Sequence, residues 1–252
     1  MRSQNSLAPV GFSLALLLSQ LSLMPAALAI PNPIDNGREQ IADLPPVPTT
    51  PPPPPDGTRT PGGGLGDQAV CPQKPQDLTA ITPMNVHGKT LSEHPTFWFY
   101  MPYTAAEVPG GEFTVLTRDE ENEIYTTSFT LPDQSGLVSI SLPASAEYSL
   151  EEGQYYHWYL NLDCAASTDS QNDLNIDGWV QRVTATPERK AQVDNTSPEI
   201  WYDAIDHLAD QLRSNSTNRS TMEQTWMALL KLVELCDFTE EPLVGPVTPL
   251  ES

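Results

Sequence analysis

Leu150-Glu-Glu-Gly-Gln-Tyr-Tyr-His-Trp-Tyr-Leu-Asn-Leu-Asp-Cys164 is the stretch whose reading decides the fold. Leu150, Gly153 and Tyr156 have the spacing of a tyrosine corner, in which a phenol hydroxyl bonds back to backbone just upstream. From Tyr156 onward, strict alternation sends Trp158, Leu160, Leu162 and Cys164 to one face of a strand. Tyr155, His157, Tyr159, Asn161 and Asp163 take the other face.

Further candidate strands surround this one: Leu78–Ile81, Thr96–Met101, Glu112–Thr117, Ile124–Leu131, Gly136–Leu142 and Asn175–Val183. Breakers separate them, among them Pro83, Pro102, Pro109-Gly110-Gly111, Pro132, Pro143 and Gly153. Short strands at this spacing predict a mainly β fold over residues 71–190, an immunoglobulin/fibronectin-III-like antiparallel β-sandwich. Val138, Ile140 and Leu142 share one face and Ser139 and Ser141 the other, which predicts a half-buried strand. Phe97-Trp-Phe-Tyr-Met101 is bulky on both faces, so something must cover its outer side.

The C-terminal segments offer the cover. Ser197-Pro198-Glu199 reads as a capped helix start, followed by Ile200, Ala204, Ile205, Leu208 and Leu212 at helical spacing. A second helix is expected from Ser220, with Glu223 completing a capping box and Met222, Trp226, Leu229, Leu230 and Val233 as its stripe. Together they predict a C-terminal α-helical hairpin over 197–236, packed on the aromatic outer face. Residues 237–252, with Pro242 and Pro246, read as a disordered tail.

The other end of the chain reads as processing and spacing. Residues 1–29 carry Arg2, an apolar run around Phe12–Leu23 and Ala27-Leu28-Ala29, the pattern of a signal peptide cleaved before Ile30. The apolar run is shorter than the roughly 18–20 residues of a spanning helix, and no integral span is expected after cleavage. Residues 30–70 read as a Pro/Gly-rich tether, with Pro51–Pro55 and Gly62-Gly63-Gly64. Export places the chain in the periplasm, cell envelope or exterior, where cysteines pair. Cys71 and Cys164 bracket most strands and are expected as the disulfide, worth about 3–5 kcal/mol in the chain-entropy account. Cys236 is left over, either buried or paired between chains.

Composition narrows the partners. The formal charge of −21 speaks against nucleic acid and anionic lipid, which need clustered Lys and Arg. No nucleotide loop, nucleophile elbow or Cys/His metal spacing occurs, and neither cofactor nor metal is expected. Asp173-Leu-Asn175-Ile-Asp177-Gly178 imitates half a calcium loop, but its twelfth position is Thr184 and its apolar residues fit a strand. His87 and His94 fall in loops, His157 on a strand and His207 on a helix, none with a spaced partner. Asp119, Glu120, Glu121 and Glu123 fall in a hairpin turn and read as solvated charges rather than a catalytic pair.

Taken in order, Leu78-Thr-Ala-Ile-Thr-Pro83, Pro95-Thr-Phe-Trp-Phe-Tyr-Met-Pro-Tyr103, Leu142-Pro143, Tyr156-His-Trp158, Cys164, Gly178-Trp-Val-Gln-Arg182 and Ile200-Trp-Tyr-Asp-Ala-Ile205 resemble the cyanobacterial exported family called domain of unknown function 928. The resemblance runs from about Thr60 to Leu235. It implies a cyanobacterial, exported origin and carries over no functional residue.

Three functional readings follow. The first is an exported non-catalytic interaction module whose partner is an unknown protein or envelope polymer. The second is a carbohydrate-binding module using Trp98, Trp158, Trp179, Tyr155 or Tyr159 as ring platforms. The third is a hydrolase at the sheet–helix junction using Asp203, Asp206 or His207.

Overall fold

The computed structural model describes residues 52–61, 71–164, 174–214 and 218–250. The chain divides into Met1–Thr49, outside the described residues, and Thr50–Ser252. The expected signal segment and its cleavage site therefore lie outside the described residues, as do most of the expected tether and Asp173.

Two mixed sheets face one another. One has four strands in the order β1 (Thr79–Ala80), β3 (Thr96–Met101), β6 (Gly136–Ser141), β9 (Leu243–Pro246). The other has six, ordered β10 (Thr248–Pro249), β5 (Glu123–Thr130), β4 (Gly110–Thr117), β7 (Tyr155–Asp163), β8 (Leu174–Arg182), β2 (His87–Thr90). Among the described residues three α-helices follow β8: α1 (Pro187–Asp194), α2 (Trp201–Arg213) and α3 (Arg219–Leu232).

Alternation along β7 works as the sequence requires. Tyr156, Trp158, Leu160 and Leu162 are all buried, and Trp158 meets β3 across the interlayer. Phe99 lies 5.5 Å and Phe97 6.1 Å from the Trp158 ring, both edge-on, and Phe97 stands 5.0 Å from Phe113. Edge-on and tilted arrangements of this kind suit the ring quadrupoles. Upstream, the Glu151 amide donates to the Tyr156 hydroxyl at 2.7 Å. Gly153 turns there at φ +82°, a left-handed value glycine adopts without penalty. Arg182 donates to the Leu150 carbonyl and to Glu93 at 2.9 Å, which fixes the same corner from β8. Cys71 and Cys164 form a disulfide with Cα atoms 4.9 Å apart, tying the end of β7 to the segment before β1.

The outer face of β3 is covered by the C-terminal segments. Trp98 Nε1 donates to Asp206 on α2 at 3.0 Å, and Tyr100 packs 4.7 Å from Phe238. Ser139, opposite Trp98 in the ladder, is buried under the same cover, so β6 is buried on both faces rather than half buried.

Several expectations need correction. The pairing is not wholly antiparallel, since β2 runs parallel to β8 and β9 parallel to β6. His87 is therefore a strand residue, not a loop residue. The tail is not disordered: β9 and β10 lie in it, Val247 N donates to Ser139 O and Leu250 N to Ser128 O, so it crosses from one sheet to the other. Residues 52–61 are not a free tether. Thr58 exchanges backbone bonds with Asp177, while Arg59 O accepts from Ala80 N, and Pro54 is buried.

The helices also differ in detail. A 3₁₀ turn at Pro198–Ile200 precedes α2. In place of the capping box at Ser220, α3 starts at Arg219 without a side-chain cap, and Glu223 pairs with Arg219 at 3.0 Å. α1 was not expected at all, although Thr186-Pro187 caps it as a helix start should, with Thr186 Oγ1 accepting from Arg189 N at 3.3 Å. Cys236 is exposed, which removes burial as its role.

Gly178 faces Trp158 across the β7–β8 ladder, and a Cβ there would stand 2.5 Å from Trp158 Cζ2 and closer still to Val86. Gly178→Ala is expected to cost about 1–3 kcal/mol by overpacking, read as a lowered denaturant midpoint at unchanged slope.

Candidate functional site

With the rear of the four-stranded sheet covered, the outer face of the six-stranded sheet is where polar side chains assemble. Register places them in rows across the strands. Ser128, Glu112, Asn161 and Asn175 form one row; Thr126, Thr114, Tyr159 and Asp177 form the next. Thr126 Oγ1 donates to Thr114 Oγ1 at 3.1 Å, and Asn175 Nδ2 donates to Asn161 Oδ1. A third row holds Leu116, His157, Trp179 and His87.

His157 is the centre of this face. Its Nδ1 lies 2.7 Å from Glu120 Oε1 and its Nε2 2.8 Å from Asp177 Oδ2. Its ring stacks on Trp179 at 3.9 Å and 9°. Ionised carboxylates only accept, so both contacts are satisfied together when both ring nitrogens carry protons. The geometry thus sets the His157 ring between two carboxylates, with Tyr159 donating to Glu120 at 3.0 Å.

The electrostatics agree. Hydrogen bonds from His157 and then Tyr159 hold Glu120 below the usual carboxylate range. Burial pushes Asp177 upward, but bonds from His157 and Thr58 outweigh it, leaving the group below its ordinary value. Burial, then the bond to Glu120, raises the Tyr159 phenol.

The turn that delivers Glu120 is built by short local bonds. Thr117 N and Asn122 O meet at 2.9 Å, and Asp119 Oδ1 accepts from Thr117 Oγ1 at 2.6 Å and from Glu121 N at 3.2 Å. A register shift between Val115 and Leu116 precedes it. Glu120 adopts φ +59°, a left-handed conformation that costs a non-glycine residue about 1 kcal/mol or more. Its bonds to His157 and Tyr159 offset that strain.

Sequence spacing gave His157 no partner, and the structure supplies two, 37 and 20 residues away. Treating Glu120 as merely solvated is likewise corrected. The usable signal was register: antiparallel pairing of the two tryptophan-bearing strands sets His157 opposite Trp179 and Tyr159 opposite Asp177.

Other expected site residues are dispersed. Trp98, Trp158 and Trp179 are buried, so they form no exposed ring platform; Tyr155 and Tyr159 are half-buried. Asp203 and Asp206 both line a cavity of about 50 Å³ that also reaches His94, room for little more than water. Asp203 accepts from Leu91 N at 3.0 Å and Asp206 from Trp98 Nε1, and burial raises both carboxyls. His207 is not among the residues lining that cavity and contacts Gln211 instead. Among the described residues no group of three or more His, Cys, Asp and Glu is arranged to hold a metal ion, and no helix is long and apolar enough to cross a membrane.

Beside the His157 cluster lies an open cleft of about 720 Å³ between the β4–β5 turn and the corner at Leu150–Tyr156. Its walls include Arg118, Asp119, Asn122, Glu147, Gln154 and Tyr155. A family model described as Domain of Unknown Function (DUF928) matches residues 56–243. No curated protein and no solved structure matches the chain.

The two sets of carboxylates titrate with opposite sign. Glu120 and Asp177, lowered in the fold, contribute stability above the unfolded carboxylate range and lose it as pH falls through their folded values. Asp177→Asn is expected to cost about 1–2 kcal/mol at pH 7 and to converge on the parent only as pH falls below the ordinary aspartate range, read in denaturant titrations. Asp206, raised in the fold, favours the native state when protonated and loses that contribution as pH rises. Asp206→Asn, which keeps an acceptor for Trp98, is therefore expected to lose less at pH 7 than Asp206→Ala. The alanine leaves a buried indole N–H unpaired at about 1–3 kcal/mol.

Proposed function

We propose that this chain, which belongs to the domain of unknown function 928 family, is an exported non-catalytic module. It holds a neutral, hydroxyl-rich envelope polymer on the open face of its six-stranded sheet. The observation that carries the reading is the asymmetry of the two outer faces: one is covered by α2 and the Cys236–Phe238 turn, while the other, among the described residues, presents rows of Thr, Asn, Ser and Tyr with Glu112 and Asp177 among them.

A protein partner fits less well. Protein interfaces bury an apolar core, whereas among the described residues the exposed large apolar side chains are Met84, Met227, Leu232 and Leu250, none of them in the rows on this face. Donors and acceptors spaced across strands suit hydroxyl groups, and the charge of −21 disfavours polyanions. Catalysis is disfavoured because the buried acids already accept structural bonds: Asp177 from Thr58, Asp203 from Leu91, Asp206 from Trp98.

Export by a leader over residues 1–29 and a cyanobacterial envelope or exterior as the destination belong to the same reading. So does kinship with immunoglobulin and fibronectin-III sandwiches, supported by the Tyr156 corner and Trp158 between the layers.

The mature chain is expected to be retained saturably by washed, insoluble envelope polymer at physiological salt. Thr126→Arg, which places bulk and charge on the open face, should abolish retention, and Lys190→Ala on α1 should leave it unchanged. Retention that is absent, or equal for Thr126→Arg, overturns the reading. The N-terminus of the exported protein should lie near Ile30; an intact Met1 inside the cell overturns export.

A further inference from the structure

We infer that the cleft between the β4–β5 turn and the Leu150–Tyr156 corner is the subsite that grips one sugar unit of a neutral glycan, with Arg118 and Tyr155 as its principal contacts. The inference rests on the proposed polymer-binding role and names where, and by what chemistry, recognition is concentrated.

Arg118 is the first reason. Its guanidinium carbon lies 5.5 Å from the Tyr155 ring centroid, and its Nη1 is buried without a hydrogen-bond acceptor. A donor removed from water and left unpaired costs about 1–3 kcal/mol, more when charged. Such a donor is left to be met by water or by a ligand, and an incoming oxygen acceptor would remove the cost.

The second reason is the sign and kind of the remaining walls. Asp119, Glu147 and Glu151 supply carboxylates, and Asp119 is held below the usual range by bonds from Thr117 and Glu121. Set against the single guanidinium, they leave the cleft net negative, which rejects phosphate, sulfate and uronate groups. Carboxylates demand donors, Arg118 demands an acceptor, and the Asn122 and Gln154 amides can serve either way. A hydroxyl both donates and accepts, so a polyol satisfies this lining where an anion, a cation or a hydrocarbon does not. Tyr155 adds a ring against which the C–H face of a pyranose can lie.

The third reason is position. A volume of about 720 Å³ falls within the roughly 300–1,000 Å³ usual for small-molecule sites, and the cleft is open rather than closed, as a polymer passing through requires. Tyr155 lies on β7 opposite Gln181 and, by alternation, on the same face as His157 and Tyr159, so one wall of the cleft belongs to the outer face. The turn carrying Arg118 and Asp119 is the one pinned by Glu120 to His157, so the cleft wall is preorganised before ligand arrives.

The test is calorimetric titration of the full mature chain with cellohexaose, laminarihexaose and chitohexaose, and with hexagalacturonate as the acidic comparison. At least one neutral hexasaccharide should bind, and hexagalacturonate should bind about tenfold more weakly or not at all. Arg118→Met and Tyr155→Ala should each weaken the neutral sugar about tenfold, with Arg118→Lys intermediate and thermal midpoints within a few degrees of the parent. Affinity unchanged in Arg118→Met, or tighter binding of the acidic sugar, overturns the subsite. Envelope polymer retained equally by Arg118→Met and the parent also overturns it while sparing the wider reading; loss of retention by the parent itself removes the wider reading.

Discussion

Everything in this fold hangs on how the Trp158 indole is accommodated. A tryptophan on a central strand fills the interlayer, but its N–H must find an acceptor in a region with no water. Here Tyr202 reaches in from α2: its hydroxyl accepts from Trp158 Nε1 at 2.8 Å and donates to Trp179 O at 3.1 Å. One phenol thereby joins the β7 core, the β8 backbone and the helical layer, and its complete burial drives its own ionisation well upward. Two glycines make the geometry possible. Gly178 leaves room for the indole and Gly88 for the Tyr202 ring. α2 is therefore part of the core rather than an accessory to it, which Trp201 reinforces by donating to Ile81 O at 2.7 Å.

The flanks are closed by the least patterned parts of the chain. A two-layer β structure has exposed edges, each a row of unpaired amides that invites association. On one flank Thr58 pairs with Asp177 of the larger sheet while Arg59 O accepts from Ala80 of the smaller. On the other, the tail pairs with β6 and then crosses to β5. Both segments are proline-rich, and proline suits an edge because it needs no donor partner on the open side. Their composition reads as linker, and their backbone geometry makes them seals.

That contrast marks what the sequence can and cannot reveal. β3, β4, β5, β6, β7 and β8 were legible because burial on one face or both writes alternation or dense apolar runs into the residues. The disulfide between Cys71 and Cys164 was legible because those two cysteines bracket most of the patterned strands. β2, with His87-Gly-Lys-Thr90, and β9, with Leu243-Val-Gly-Pro246, write no such pattern, because each is held by backbone bonding at an edge. The helical hairpin was visible in the spacing of its apolar residues, whereas α1, with no buried residue, was marked by its cap alone. His157 was visible only as an outward residue; its partners depend on a strand register and a strained turn that no local pattern encodes.

The strained turn also explains why one face of the molecule is ordered enough to recognise anything. Glu120 in a left-handed conformation is unfavourable in isolation, and a solvated hairpin would relax out of it. Bonding to an imidazole ring whose other nitrogen is held by Asp177, itself fastened to Thr58, makes the turn, two central strands and the N-terminal seal mutually dependent. Removing one member leaves a carboxylate or a ring nitrogen facing an unpaired neighbour. A polar surface assembled from such interdependent contacts loses little freedom when it meets a ligand. On this face the ordering of side chains is accomplished during folding, which is the condition preorganised recognition requires.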